Sequence, residues 1–182
     1  MPLRQIILLT MVLVVLLTSA VSASYWFQHN YIGWLVNDVP DAVRYRQQWQ
    51  QTLDGLDGLK HPAVIHYLPN GCLCRMLTLK HAQQISDKAG QSGFQVFQLN
   101  SSDAGLGDSL TLAGSSAFLS PQIAITRPDG RIAYVGAYSD GIRCNTGNSM
   151  VDSFLDSVQS LPGQTVVGLD VQTCRCRTST EE

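Results

Sequence analysis

The sequence predicts an α/β domain: a three-layer α/β/α sandwich with a central mixed sheet, preceded by an apolar N-terminal helix. Three observations predict it. Ala63-Val-Ile-His-Tyr-Leu68 is apolar on both faces, as an inner strand of a covered sheet is, and it passes through Pro69-Asn-Gly71 into a helical pattern beginning at Cys72. A second strand, Phe94 to Leu99, follows that helix, and joints this short imply a parallel pair with a right-handed crossover. Pro121 to Thr126 and Arg131 to Val135 flank Arg127-Pro-Asp-Gly130, a hairpin turn in which proline presets φ and glycine closes the reversal.

The remaining elements follow in order. Ile6 to Ala23 is an uncharged apolar run of 18 residues, at the lower edge of what crosses a bilayer as a helix. Arg4 precedes it and the next lysine or arginine is Arg44, so the positive-inside rule keeps the N-terminus cytoplasmic and exports the domain. Val21-Ser-Ala23 offers a cleavage site that would release a soluble product, whereas Tyr25, Trp26, Phe27 and Trp34 suit the interfacial belt of a retained anchor. The length of the run favours the anchor. The expected organisation is a signal anchor or signal peptide over 1–27, a connector over 28–39, the folded domain over 40–163 and a C-terminal extension over 164–182.

Within the domain, Asp41 is the expected N-cap of a helix that carries Tyr45, Trp49, Leu53 and Leu56 at helical spacing. From Cys72 to Ala89, Met76, Ala82, Ile85 and Ala89 can share one face, with Lys80, Gln84 and Lys88 toward water. A short helix is expected around Asp108 to Ala113, because 100–119 is long for a structureless loop. Asn148 or Ser149 should cap a last helix with Val151, Phe154, Leu155, Val158 and Leu161 inward, and Thr165 to Val171 should add an edge strand.

A net charge of −2 leaves no basic footprint for nucleic acid. No Gly-rich phosphate loop, zinc-protease helix or glycosidase pattern stands out. The chemistry is carried by the five cysteines: Cys72 and Cys74, Cys144 alone, and Cys174 and Cys176. C-x-C occurs twice, a spacing tighter than that of common zinc sites, and both export readings put the sulfurs where disulfides persist. Cys72 should sit at a helix N-terminus, where free N–H groups favour the thiolate, with Arg75 and His66 as further sources of positive charge. Cys72 and Cys74 are therefore the candidate catalytic pair, nucleophile and resolving thiol. Cys144, Cys174 and Cys176 are candidate redox or disulfide partners: Cys144 could pair with Cys72 or Cys74, or bridge to the tail. No cofactor is expected and no residue set is assigned to a metal in this reading. Two alternatives stay open. The C-x-C thiolates could hold copper(I), which favours soft ligands, or the disulfides could be purely structural in an interaction module.

The order helix, strand, Cys-turn-helix, strand, link, Pro-strand, Gly-turn, strand, helix resembles the thioredoxin fold over roughly residues 40–161. Cys72-Leu73-Cys74 stands where that family has Cys-x-x-Cys, and Ser120-Pro121 stands where it has a cis-proline. More narrowly, the two C-x-C pairs and Gly136-Ala-Tyr-Ser-Asp-Gly-Ile-Arg-Cys144-Asn-Thr-Gly-Asn148 resemble a group of membrane-tethered bacterial thioredoxin-like proteins, the DUF6436 type, from which no settled reaction can be carried over. The resemblance implies a thiol–disulfide oxidoreductase in the periplasm, held at the inner membrane or soluble if the leader is cleaved. Its partners would be exported cysteine-containing proteins and a redox partner, and Pro121 would shape the substrate groove. The motif has one intervening residue instead of two, so a disulfide within it would close a smaller, strained ring. That makes an oxidising or isomerase-like role, or a pair that never closes on itself, physically easier than a reductase. A peroxidase would carry Thr or Ser three residues before Cys72, where this chain has Pro69.

Overall fold

The computed structural model describes residues 3–39, 41–111, 120–141 and 144–176. They fall into two compact units, one ending at Ile32 and one beginning at Gly33. The first is essentially a single helix, α1 (Leu3–Tyr31), with no buried residue. Among the described residues it is the one helix long and apolar enough to cross a membrane, as an anchor or signal sequence would be.

The second unit holds the α/β domain. The segment expected as a connector already carries structure: β1 (Ile32–Trp34) and α2 (Leu35–Asp38), with Leu35 buried in the core. Asp41 caps α3 (Ala42–Asp54), accepting from the N–H groups of Val43 and Arg44. Tyr45, Trp49 and Leu53, spaced four apart on one face, are its buried residues.

β2 (Ala63–Tyr67) is buried throughout and leads into α4 (Leu73–Gln91). β3 (Gln95–Leu99) returns parallel to β2, as the short joints require. β5 (Gln122–Thr126) and β6 (Ile132–Gly136) form the expected antiparallel hairpin, and β5 also pairs antiparallel with β2. With β4 (Asp108–Leu110) and β7 (Val166–Gly168), each parallel to its neighbour, the mixed sheet runs in the order β4-β3-β2-β5-β6-β7. A separate two-stranded sheet joins β1 to β8 (Gln172–Cys174).

Alternation along the strands builds two cores. Ala63, Ile65 and Tyr67 join Tyr45, Trp49 and Leu53 on the α3 side; Val64 and Leu68 join Ala82, Ile85 and Ala89 of α4 on the other. On the α3 side, Tyr45 Oη and Trp49 Nε1 both donate to Gln122 Oε1, at 2.7 and 3.2 Å. That ties the start of β5, next to Pro121, to the first core.

Three expectations fail. Asp108–Leu110 is a strand, because it lies against the edge of β3; residues 112–113 of the expected helix lie outside the described residues. Gly107, at φ +77°, permits the approach, since a Cβ there would meet Val96 O at 2.0 Å. The last helix is instead a series of single 3₁₀ turns at Thr146–Asn148, Asp152–Phe154 and Val158–Ser160. Ser149 Oγ caps the segment as expected, accepting from Val151 N and Asp152 N, but Ser157 Oγ takes Gln159 N, an amide that a continuing helix would bond to Leu155 O. Val151 and Leu155 are nonetheless buried, and Phe154, Val158 and Leu161 pack on the same core. The Ser120–Pro121 bond is not cis; among the described residues the cis peptide is His61–Pro62. The resemblance alone had carried the expectation for Pro121.

Candidate functional site

The site forms where β2 ends. The turn through Gly71, at φ +71°, releases the chain into α4 with Cys72 as its N-cap residue. Cys72 makes no side-chain cap bond, so the first amides of α4 are not occupied by its sulfur. Cys74, one helical residue further in, is fully buried.

The C-x-C motif does not close on itself. Cys72 is bonded to Cys176 and Cys74 to Cys174, with Cα–Cα distances of 5.3 and 5.5 Å. The partner numbers rise in one segment as they fall in the other, so the two segments run antiparallel. The pairs differ in surroundings: Cys72 and Cys176 are half-buried, whereas Cys74 is 0% and Cys174 5% exposed. The sulfurs of Cys72, Cys74 and Cys176 all lie within 4.8 Å of one another.

The tail is held by more than sulfur. Leu35 N donates to Val171 O at 3.0 Å and Gly141 N to Gln172 O at 2.7 Å. Between the two tail cysteines, Arg175 forms an ion pair with Asp38 and lies against Gly33. Burial raises the Asp38 carboxyl above its ordinary range, and Arg175 opposes that shift.

Neither expected cation acts on Cys72. Arg75 is paired to Asp103 at 2.5 Å and also donates to Asn70. His66 is buried and pushed down to about 3, by burial first and His81 second, so it is neutral. Its ring nitrogens face Tyr138 Oη at 2.8 Å and Ser86 Oγ at 3.0 Å. Ser86 spends its proton on Ala82 O, so His66 Nε2 donates to Ser86 and Nδ1 accepts from Tyr138. What remains to favour a thiolate at Cys72 is the helix N-terminus itself.

Cys144 is the free cysteine among the described residues, which overturns both of its expected bridges. Burial pushes its thiol up to about 11, against hydrogen bonds from Ser139 and Thr78. It lines a cavity of about 10 Å³ together with Thr78, Pro121, Tyr138, Ser139 and Cys174. The sequence thus named the five sulfurs and Pro121. A histidine in an inner apolar strand reads as a hydrogen-bonded core residue, as His66 is, but its partners Tyr138 and Ser86 were not legible.

A family model described as domain of unknown function (DUF6436) matches residues 42–178. The match covers most of the chain, and the protein belongs to this family. No curated protein and no solved structure matches the chain.

Proposed function

We propose that the protein is a thioredoxin-like thiol–disulfide exchange protein of the cell envelope, tethered by α1, and that its working bond is Cys72–Cys176. The observation that carries this is the position of Cys72: N-cap of a 19-residue helix, half-buried, and joined to a half-buried tail sulfur. The sheet supports the fold reading. The run β3-β2-β5-β6, with α4 crossing from β2 to β3, is the order that the resemblance implies, although the last helix is replaced by 3₁₀ turns.

In the exchange, a thiolate of an exported substrate attacks Cys176 Sγ. The S–S bond breaks and Cys72 leaves as a thiolate, stabilised by the first amides of α4. A second substrate thiolate then attacks the substrate sulfur of the mixed disulfide and releases Cys176. The substrate dithiol is oxidised to a disulfide, the Cys72–Cys176 disulfide is reduced to a dithiol, and the two substrate protons pass to solvent or to the new thiols. A redox partner restores the bond. The Arg175–Asp38 pair and the β1–β8 pairing keep Cys176 near Cys72 meanwhile.

The test is alkylation of Cys72 by iodoacetamide against pH after reduction, with Cys72→Ser as control. A Cys72-dependent rate with an apparent pKa well below the free-thiol value of about 8.5 supports the reading. A rate with no such shift, together with failure to oxidise a dithiol peptide, reduces both disulfides to structural staples.

The sulfur cluster favours a second reading. Once reduced, Cys72, Cys74 and Cys176 offer three soft ligands within 4.8 Å, a set suited to copper(I). Copper(I) titration of the reduced chain against a chelator, under anaerobic conditions, tests it; binding unchanged by Cys74→Ser removes it.

A further inference from the structure

A second candidate site lies at the other end of the sheet. β5 begins beside Pro121, near the cysteines, and ends at Thr126, beside the turn that carries Arg127 and Arg131. Five strand residues span roughly 16 Å at about 3.3 Å each, so the two ends do not share a site. At the far end is a cleft of about 500 Å³, lined by Arg46, Gln47 and Gln50 of α3, by Arg127 and Arg131, and by 163–165.

The charge in this cleft is unbalanced. Three of the chain's twelve lysines and arginines line it, in a protein of net charge −2. Of the adjoining carboxylates, Asp129 is taken by Arg131 at 2.6 and 2.7 Å, and Asp54 accepts from Gln50. Arg46 has no ion pair among the described residues. Arg127 is the most telling. Its side chain is only 11% exposed, Nη1 donates to Pro162 O at 2.7 Å, and its buried Nε has no hydrogen-bond acceptor, with Asp129 Oδ1 at 3.6 Å. Asp129 balances Arg127 only at this longer distance while it bonds Arg131 directly, so a second oxyanion in the cleft would share a largely buried guanidinium that is under-paired.

The neighbouring polar groups are already committed, which holds the cleft open. Gln50 receives Ile132 N on its carbonyl and donates to Asp54 and Gly130 O, and Thr165 Oγ1 donates to Ile132 O. A Cβ at Gly163 would meet nothing within 4 Å. The volume lies in the range of small-molecule sites and well above what a bare anion fills.

We propose that this cleft binds a phosphate ester with a polar body, its phosphate gripped by Arg46, Arg127 and Arg131. Planar guanidinium forks match phosphate oxygens two at a time, and three guanidiniums outnumber the two adjoining carboxylates, Asp129 and Asp54, so the cleft stays net positive. The proposal stands apart from the thiol chemistry and survives its failure.

The test is calorimetric titration of the full chain, in an uncharged detergent, with glycerol 3-phosphate. Arg46→Gln and Arg131→Gln change exposed side chains, and Gly163→Glu places a competing carboxylate at open space. The expected result is one saturable site per chain, weakened at least tenfold by each arginine variant and by Gly163→Glu, with circular dichroism and the count of free thiols unchanged. No saturable binding, or binding equal in wild type and variants, overturns the proposal. Repeating the titration in phosphatidylcholine nanodiscs with and without phosphatidylglycerol identifies the source. Weaker binding with phosphatidylglycerol present assigns the cleft to a lipid headgroup, and unchanged binding assigns it to a free ester.

Discussion

The two disulfides join the same two segments, two residues apart, yet their surroundings differ. Cys72–Cys176 sits half-buried at the mouth of a helix; Cys74–Cys174 is sealed beneath it. Their sequence separations, 104 and 100, are nearly equal, so chain entropy cannot distinguish them. Either bond alone already closes the long loop, and the second then closes only a very small one. Their difference lies in burial: a thiolate released at Cys72 would stand half-exposed at the start of α4, whereas one at Cys74 would be sealed from solvent. One fold therefore combines a half-buried bond at a helix start with a sealed one, the difference that the proposed exchange would use.

The largest effect tests the shared loop. Replacing Cys72, Cys74, Cys174 and Cys176 together by Ser should cost about 4–5 kcal/mol, the loop term for roughly 100 residues, read from urea unfolding. Replacing only Cys72 and Cys176 should cost less than about 1 kcal/mol, because the inner bond still closes the loop. Replacing only Cys74 and Cys174 by Ala should cost about 1–3 kcal/mol through the buried void. Equal single-pair costs would erase the comparison.

Acid probes the packed side of the site. The folded pKa of His66, about 3, lies below its ordinary value of 6.5. Between those values the unfolded chain binds the extra proton, so the stabilisation is present above about pH 6.5 and is lost as pH falls toward 3, by up to a few kcal/mol. Urea midpoints at pH 7 and pH 4 measure it, and His66→Gln should flatten the difference. An unchanged slope in the variant would show that His66 is not the group responsible.

Reduction separates the two bonds kinetically. Under limiting dithiothreitol, mass spectrometry after alkylation should find Cys72 and Cys176 labelled at least about tenfold ahead of Cys74 and Cys174, since attack needs access to sulfur. Simultaneous labelling would mean that the two open as one unit. The smallest effect concerns Cys144. With its thiol pushed up to about 11, alkylation at pH 8 should be far slower than that of a free-thiol peptide, and Thr78→Val should slow it a little further by removing a bond that lowers the pKa.

Much of this was legible before any coordinates. Asp41 caps α3, Trp49 is buried at helical spacing, β2 and β3 are parallel, and Arg127-Pro-Asp-Gly130 turns the hairpin, because each depends on residues close in sequence. The last helix was misread for a related reason. The inward spacing of Val151, Phe154, Leu155, Val158 and Leu161 was real, and Ser149 caps as expected, but Ser157 captures the Gln159 amide that a continuing α-helix would bond to Leu155 O.

By itself, the sequence determined the apolar N-terminal helix, the α/β pattern and the placement of Cys72 at a helix start, since periodicity, caps and turns act over a few residues. Only the tertiary structure decided which sulfurs meet. Bonding requires Cα atoms 5.3 and 5.5 Å apart between segments about 100 residues distant, and β8, Arg175 and Asp38 bring the tail there. It also decided that Arg75 and His66 lend Cys72 no charge, because Asp103 neutralises the first and burial the second.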